Sequence, residues 1–140
     1  MPKVIIHNEH ESEAGSRLQS ILEDRLPQIC KTFFCNIEVF QSRLPLYLTH
    51  DVILVVFVSN MDDLHKLNEN RAILRDCRLL FVLPDNSAEI ISHAYEYFPR
   101  FVTFFDSDFS DICAVIENII KQIVKPVFEG EKMNDQTHSA

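Results

Sequence analysis

Glycine is almost missing from this sequence, whose 140 residues include only Gly15 and Gly130. Nucleotide-binding loops use several closely spaced glycines, which let backbone N–H groups approach a phosphate. Two glycines 115 positions apart (130 − 15) cannot form such a loop. The sequence therefore argues against dehydrogenase, P-loop and flavin sites together.

Basic charge is also scarce, because 13 Lys and Arg residues stand against 21 Asp and Glu residues and give a formal net charge of −8. The positive residues are scattered along the chain, so nucleic-acid phosphates would be repelled. No apolar run approaches the roughly 18 residues of a membrane span, and the first residues lack the apolar core of a signal peptide. We therefore expect a cytoplasmic protein that binds neither nucleic acid nor membrane.

Cysteine is present four times, at Cys30, Cys35, Cys77 and Cys113, but never with C-x-x-C spacing. This spacing argues against a zinc knuckle and a redox dithiol. Because cysteine is often simply buried, we expect four buried thiols.

The strongest positive signal is the run 52–58, which reads Val-Ile-Leu-Val-Val-Phe-Val. A short, mostly β-branched apolar run predicts a strand that is buried on both faces. Such burial is typical of a parallel sheet with helices above and below it. No side chain in the run can act as an acid.

Four further strands and the helices between them follow from the hydrophobic pattern. We predict strands at 3–7, 36–41, 52–58, 78–83 and 101–105, and later helices at 61–75, 87–98 and 109–124. The first helix begins after a cap at Ser12 or Ser16, and its apolar face runs from Leu18 to Ile29. The second strand, 36–41, alternates apolar and polar residues like an edge strand. Only nine residues, 42–50, follow it before the third strand, so the second helix should be short or missing.

This alternation predicts a single doubly wound, flavodoxin-like α/β domain. The half-polar second strand and right-handed crossovers favour a five-stranded parallel sheet of order 2-1-3-4-5. We assign the domain to residues 1–128 and predict a polar, disordered tail at 129–140. Function should lie beyond the carboxyl ends of the strands, near the gap between the first and third.

By order and length of elements over residues 3–125, the chain resembles the receiver domain of bacterial two-component response regulators. The resemblance implies a Mg²⁺-binding acid pair after the first strand, which here falls on Asn8 and Glu9. The family pattern of an Asp, four apolar residues and the phosphate-accepting Asp runs here as Asp51-Val-Ile-Leu-Val-Val56. The acceptor position is therefore Val56.

Two further positions implied by the resemblance have also lost their polar groups. The fourth-strand hydroxyl position falls on Val82 or Leu83, and the fifth-strand Lys position falls on Phe104 or Phe105. Phosphoryl transfer needs the acceptor, the metal and these groups together, and each would be costly to bury without its partners. The resemblance thus implies a degenerate pseudo-receiver that signals without phosphorylation and is not an enzyme. Asn8 and Glu9 could hold Mg²⁺ only weakly, and we expect no required cofactor.

The resemblance also implies a protein-binding face made by the fourth helix, fifth strand and fifth helix. Aromatic residues are enriched at interfaces, and this region is rich in them. We take Tyr95, Tyr97, Phe101 and Phe105 as the partner-binding candidates, with core packing as the competing role. The partner is another protein or a second copy of the chain.

A divalent-metal-binding domain or metal-dependent enzyme on the same fold is the alternative. His7, Glu9, His10 and Glu11 form a compact cluster that would need a distant partner, such as Asp106 or Asp108. A solvated loop at 7–11 and a cap on the closing helix are the simpler roles of these two segments. Likewise, Ser59 is either a substitute phosphoacceptor or an ordinary turn hydroxyl.

Overall fold

The computed structural model of the protein describes residues 2–10, 12–48 and 51–136. Within these ranges, five strands alternate with helices. The strands are β1 (Lys3–His7), β2 (Cys30–Phe34), β3 (Val52–Phe57), β4 (Arg78–Leu83) and β5 (Phe101–Phe104). The helices are α1 (Glu13–Arg25), α2 (Ile37–Arg43), α3 (Met61–Lys66), α4 (Arg71–Arg75), α5 (Ala88–Tyr95) and α6 (Ser110–Gln136). Short 3₁₀ turns, Leu44–Leu48 and Asn68–Asn70, follow α2 and α3.

The five strands form one parallel sheet in the order β2-β1-β3-β4-β5, which confirms the predicted flavodoxin-like fold. β3 lies in the middle, where Leu54 pairs with Ile5 of β1 and with Leu79 of β4. Every residue of β3 is buried. The apolar run that dominates the sequence is therefore the centre of the molecule.

Helices cover both faces of the sheet, and alternate strand residues supply the two halves of the core. On one face, α1 and α6 pack against side chains that include Ile6, Val55 and Val82. On the other, α2 to α5 pack against side chains that include Ile5, Val56 and Phe81. This alternation follows from the two-residue period of a strand.

The second strand was predicted at the wrong residues, although its position in the strand order is correct. Residues 36–41 do not form a strand, because Asn36 begins a helix: its side chain accepts hydrogen bonds from the backbone N–H groups of Glu38 (2.8 Å) and Val39 (3.1 Å). Phe40 and Leu44 then share the buried side of α2 and its 3₁₀ extension. The edge strand is instead β2, six residues earlier (36 − 30 = 6).

Two other boundaries differ from the prediction. The helix predicted at 61–75 is divided into α3 and α4 by a 3₁₀ turn that contains Asn68 and Asn70, residues that favour turns over helix interiors. The last helix continues past 124 to Gln136, so the backbone shows no break at the predicted tail boundary of 129. The end of that predicted tail, 137–140, lies outside the described residues. Of the helices in the described ranges, none combines the length and apolarity needed to cross a membrane.

Candidate functional site

The carboxyl ends of β1 and β3 lie side by side at the point where the strand order reverses, the usual place for a site in this architecture. The chain leaves β1 through Asn8, Glu9 and His10, and it leaves β3 through Ser59 and Asn60. Both connections are short, so their polar side chains are brought close together above the sheet.

The first turn of α3 places a buried carboxylate in this region. Asn60 caps the helix by accepting a hydrogen bond from the backbone N–H of Asp63 (3.1 Å). In return, the Asp63 carboxylate accepts a hydrogen bond from the backbone N–H of Ser59 through Oδ2 (2.7 Å). Asp63 is only 7% exposed, and its other oxygen, Oδ1, points to the loop after β1. Ser59 thus contributes its backbone to a turn, and Asp63 is held firmly.

Two side chains from the loop after β1 meet Asp63. His10 Nε2 lies 3.2 Å from Asp63 Oδ1, within hydrogen-bond distance. Glu9 accepts a hydrogen bond from Lys66 Nζ at 3.2 Å, and Lys66 lies in the same helix as Asp63. One ligand atom each from Glu9, His10 and Asp63 lie within 4.8 Å of one another. Two carboxylates and an imidazole therefore converge.

His7, the last residue of β1, lies beneath this cluster. It is 3% exposed, and its ring stacks on Phe40 with centroids 4.8 Å apart. Its Nε2 lies 4.0 Å from Glu9 Oε1, while its Nδ1 is buried without a hydrogen-bond partner. Burial lowers the pKa of His7, and the carboxylates of Glu9 and Asp63 oppose that effect. His7 is therefore a buried imidazole below the cluster, with a pKa below its ordinary value and without a hydrogen-bond partner for Nδ1.

The sequence analysis predicted the residues that the loop after β1 contributes to this cluster, but not the residue contributed by α3. His7, Glu9 and His10 do come together, while Glu11 lies outside the described residues. The distant partner is Asp63, and neither Asp106 nor Asp108 belongs to the group. Asp108 instead accepts hydrogen bonds from the backbone and hydroxyl of Ser110, which lower the pKa of the Asp108 carboxyl.

Asp106 lines a different recess, a cleft of about 520 Å³ between the start of α1 and the ends of β4 and β5. Arg17, the basic side chain in this cleft, is already engaged. Its guanidinium donates to the carbonyls of Phe105 and Ser107 and to the Glu13 carboxylate. It also lies over the ring of Phe109, 4.9 Å from the centroid. Arg17 thus fastens the loop after β5 to α1.

The positions assigned by the receiver resemblance do not converge on one point. Val56, Leu83 and Phe104 face the α2–α5 side of the sheet, where Val56 and Leu83 are buried and Phe104 is half-buried. Leu83 and Phe104 are direct neighbours in the sheet, whereas Val56 pairs with Phe81, two residues before Leu83. These three positions therefore lie in an apolar layer.

Asn8, by contrast, lies on the α1 side of the sheet. An added Cβ at Gly15 would come within 1.9 Å of Asn8 Nδ2, so the missing side chain at Gly15 is what gives Asn8 its place. Glu9 points the other way, toward Lys66. The two residues at the acid-pair positions therefore do not form a pair.

The four partner-binding candidates divide between surface and core. Tyr95 is 53% exposed, whereas Phe101 and Phe105 are half-buried against the core beside α1 and α6. Tyr97 is 3% exposed, its ring packs against Phe81, and its hydroxyl donates to the Leu64 carbonyl at 2.8 Å. Tyr97 is thus a core residue, as in the competing role, and not a candidate for partner binding.

An aromatic residue that the sequence did not single out is the more exposed one. Phe98 is 60% exposed and has a left-handed backbone, with φ of 56°. Arg75 lies over its ring, 4.7 Å from the centroid. Phe98 occupies the end of α5, where the chain turns toward β5.

The cysteines are only partly as expected. Cys77 and Cys113 are buried, and burial raises the pKa of both thiols, to about 11 for Cys77. Cys30 and Cys35, at either end of the edge strand β2, are exposed. The prediction of four buried thiols is therefore wrong for this pair, because β2 lies at the margin of the sheet.

Comparisons of the chain with protein-family models, with curated proteins and with solved structures find no match.

Proposed function

We propose that this chain is a non-enzymatic interaction module of the pseudo-receiver type, which binds an acidic, apolar segment of another protein without being phosphorylated. The observation that carries the proposal is a basic aromatic patch on an otherwise acidic protein. We define the patch by five exposed residues from α4, α5 and the turn before β5, and Glu96 lies among them as the acidic partner of Arg71. They are Arg71, Arg75, Tyr95, Phe98 and Arg100. The receiver resemblance supports a cytoplasmic, bacterial two-component setting for this role.

Phe98 is the centre of the patch. A non-glycine residue with a left-handed backbone after a helix costs about 1 kcal/mol or more relative to glycine, the residue that commonly occupies this position. Exposing 60% of a phenylalanine gains nothing for the isolated fold. Retaining a strained and exposed aromatic side chain is understandable if it inserts into a partner, since aromatic residues anchor many interfaces.

The charges around Phe98 indicate the chemistry of the partner. Arg75 lies over the Phe98 ring, and Arg71 lies over the Tyr97 ring and pairs with Glu96 at 3.0 Å. Arg78 and Arg100 are close neighbours, since burial and then Arg100 lower the pKa of Arg78, while Asp51 raises it. A local excess of positive charge, on a chain of net charge −8, would attract acidic groups and repel basic ones.

Peptide display tests this patch. Selection of random peptides on the immobilised protein is expected to enrich acidic sequences that contain an aromatic or aliphatic residue. In fluorescence anisotropy, enriched peptides should bind Phe98→Ala and Arg75→Glu about tenfold or more weakly than the unaltered protein. Added salt should weaken binding too, because charge attraction contributes.

The matched control is Phe33→Ala, which removes an exposed aromatic side chain from β2 at the opposite edge of the sheet from β5. It should leave peptide affinity unchanged. Peptides that bind Phe98→Ala and Arg75→Glu as well as the unaltered protein would refute the assignment of the patch. So would tight binding of an oligonucleotide with no peptide binding. Concentration-dependent mass in light scattering that Phe98→Ala abolishes would make a second copy the occupant and overturn the choice of a different protein.

Independence from phosphorylation is supported by the apolar layer at Val56, Leu83 and Phe104. Phosphoryl transfer to a carboxylate needs an acceptor together with Mg²⁺ and groups that bind the phosphoryl oxygens. At these three positions, hydrocarbon replaces the carboxylate, hydroxyl and ammonium groups that the resemblance implies.

Incubation with acetyl phosphate and Mg²⁺ followed by intact-mass measurement is the direct test. We expect no added phosphoryl group and no change of peptide affinity on treatment. A receiver domain with an intact acceptor, treated in parallel, provides the positive control. A stable adduct on any residue would contradict the proposal and locate the true acceptor.

A further inference from the structure

We propose that Glu9, His10 and Asp63 form a binding site for a divalent transition-metal ion of the zinc type. Each residue offers one ligand atom, and these atoms lie within 4.8 Å of one another. Glu9 and His10 follow β1, and Asp63 begins α3, so the site joins the two segments that border the crevice between β1 and β3. The site shares no residue with the basic aromatic patch, and either proposal can fail without the other.

The spacing of the ligand atoms suits a small ion. Ligands about 2.0–2.1 Å from a tetrahedral zinc ion lie roughly 3.3 Å from one another. His10 Nε2 and Asp63 Oδ1 are already 3.2 Å apart. Only the Glu9 carboxylate has to approach, by roughly 1.5 Å for this ligand spacing. Its side chain is long enough to do so by rotation, and a water molecule would complete the coordination.

The ligand types favour zinc and its neighbours over Mg²⁺. An imidazole nitrogen suits Zn²⁺, Co²⁺ and similar ions, whereas Mg²⁺ prefers oxygen ligands and six-fold coordination. The set also differs from the acid pair and acceptor that the receiver resemblance implies, since Glu9 alone is common to both. Asp63 and His10 supply a different chemistry at a neighbouring point.

A second observation is the buried imidazole directly beneath this cluster. His7 is 3% exposed and aims Nε2 at Glu9 Oε1 from 4.0 Å, yet its Nδ1 is buried without a hydrogen-bond partner. The Phe34 backbone carbonyl neighbours the His7 ring and accepts the backbone N–H of Asn8 at 2.8 Å, which leaves it a second lone pair. Buried polar groups without partners are rare in folded proteins and need a reason.

Metal ligands are commonly held by hydrogen bonds from a surrounding layer of groups, and His7 fits that role for Glu9. The Ser59 backbone N–H already serves Asp63 in this way at 2.7 Å. When Glu9 binds the ion, the His7 imidazole would orient the Glu9 carboxylate from the side that faces the sheet. This arrangement gives Nε2 of His7 an acceptor, and it leaves Nδ1 as it is.

Lys66 is the group that a metal ion would displace. Its ammonium lies 3.2 Å from Glu9 Oε2 and neutralises part of the carboxylate charge. A divalent ion at the centre of the cluster would take over that function and release the lysine to solvent. Removing Lys66 should therefore strengthen metal binding.

The test uses the untagged full chain carrying Cys30→Ser and Cys35→Ser, because exposed thiols could bind zinc themselves. We expect isothermal titration with ZnCl₂ to give one site per chain, and CoCl₂ to give the visible absorption of four-coordinate cobalt. His10→Gln, Asp63→Asn and Glu9→Gln should each weaken Zn²⁺ binding at least tenfold. Lys66→Met should tighten it severalfold.

His93→Gln is the matched control, since His93 Nδ1 also lies near a carboxylate, 3.8 Å from Glu96 Oε2, but at the surface of α5. It should leave zinc affinity unchanged. Asp63→Asn can disturb the start of α3, so the circular dichroism of each variant is compared with the parent. Glu9→Gln and His10→Gln leave the helix cap intact, and the two variants decide the question together. Unchanged zinc affinity in Glu9→Gln and His10→Gln, or tighter binding of Mg²⁺ than of Zn²⁺, would overturn the site.

Discussion

Replacement of Phe40 by alanine is expected to lower the free energy of unfolding by about 3–5 kcal/mol. Phe40 is completely buried at the centre of an aromatic group. Its ring stacks on His7 and lies 6.3 Å, between centroids, from both Phe34 and Tyr47. Truncation would leave a cavity lined by rings that cannot all collapse into it. Urea unfolding followed by far-ultraviolet circular dichroism measures the loss.

The neighbouring residue supplies the control, and the pair distinguishes a helix from a strand. Val39 is 40% exposed on α2, so Val39→Ala should change stability by no more than about 0.5 kcal/mol. If 36–41 were the alternating edge strand predicted from sequence, Ile37 and Val39 would face inward together. Val39→Ala would then be the more costly change, and that result would contradict the helix.

Introduction of a carboxylate by Val56→Asp, at the position that the receiver resemblance assigns to the phosphate acceptor, is expected to cost at least about 3 kcal/mol at neutral pH. Val56 is 2% exposed and pairs in the sheet with His7 and Phe81. An ionised carboxylate there loses its water without gaining Mg²⁺, a lysine or a hydroxyl. Val56→Asn, which has almost the same shape and no charge, isolates the cost of ionisation.

The pH dependence of this variant has a definite sign. Burial would raise the pKa of the introduced carboxyl above the ordinary value of about 3.9 that it keeps in the unfolded chain. Above that value the unfolded state releases its proton first, so stability falls as pH rises. The difference between Val56→Asp and Val56→Asn should therefore widen from pH 4 to pH 8 in urea unfolding. A stable Val56→Asp protein that acetyl phosphate modifies would instead show that the site needs only its acceptor.

The hydrophobic pattern of the sequence is enough to predict the strands that lie inside the sheet. β1 and β4 have the predicted bounds, and β3 differs from its prediction by one residue. These strands are covered on both faces, so their sequences are continuous apolar runs that fit no other element of that length. The strand order followed from crossover handedness and remained correct even though one strand was misplaced.

The edge strand is harder to predict from sequence, because both segments near the edge of the sheet are amphipathic. β2 reads Cys-Lys-Thr-Phe-Phe and is half exposed, so it lacks an apolar run. Residues 36–41 fit a strand by alternation and a helix by the spacing of Ile37, Phe40 and Leu44. The cap formed by Asn36 favours the helix, and that signal lies in one side chain rather than in the pattern.

Only part of the candidate metal site could be predicted from the sequence. His7, Glu9 and His10 are adjacent in the chain, and their chemistry could be read directly. Asp63 lies 53 residues from His10, and its sequence context indicates only a helix start three residues after Asn60. That it turns one oxygen toward His10 depends on the register of β1 against β3, which no local pattern contains.

The position of β1 between β2 and β3 has a consequence for the chain during synthesis. β1 is made first and can pair with β2 early, but its other partner, β3, begins only at Val52, opposite Lys3. At roughly 5–20 residues per second, a ribosome takes a few seconds to pass from β2 to the end of β3. During that interval Val4, Ile5 and Ile6 have an open edge, with unpaired backbone groups and uncovered apolar side chains. Until its central strand is made, the nascent protein therefore has an open edge at β1 that favours aggregation, and a chaperone that covers this edge would be useful at that stage.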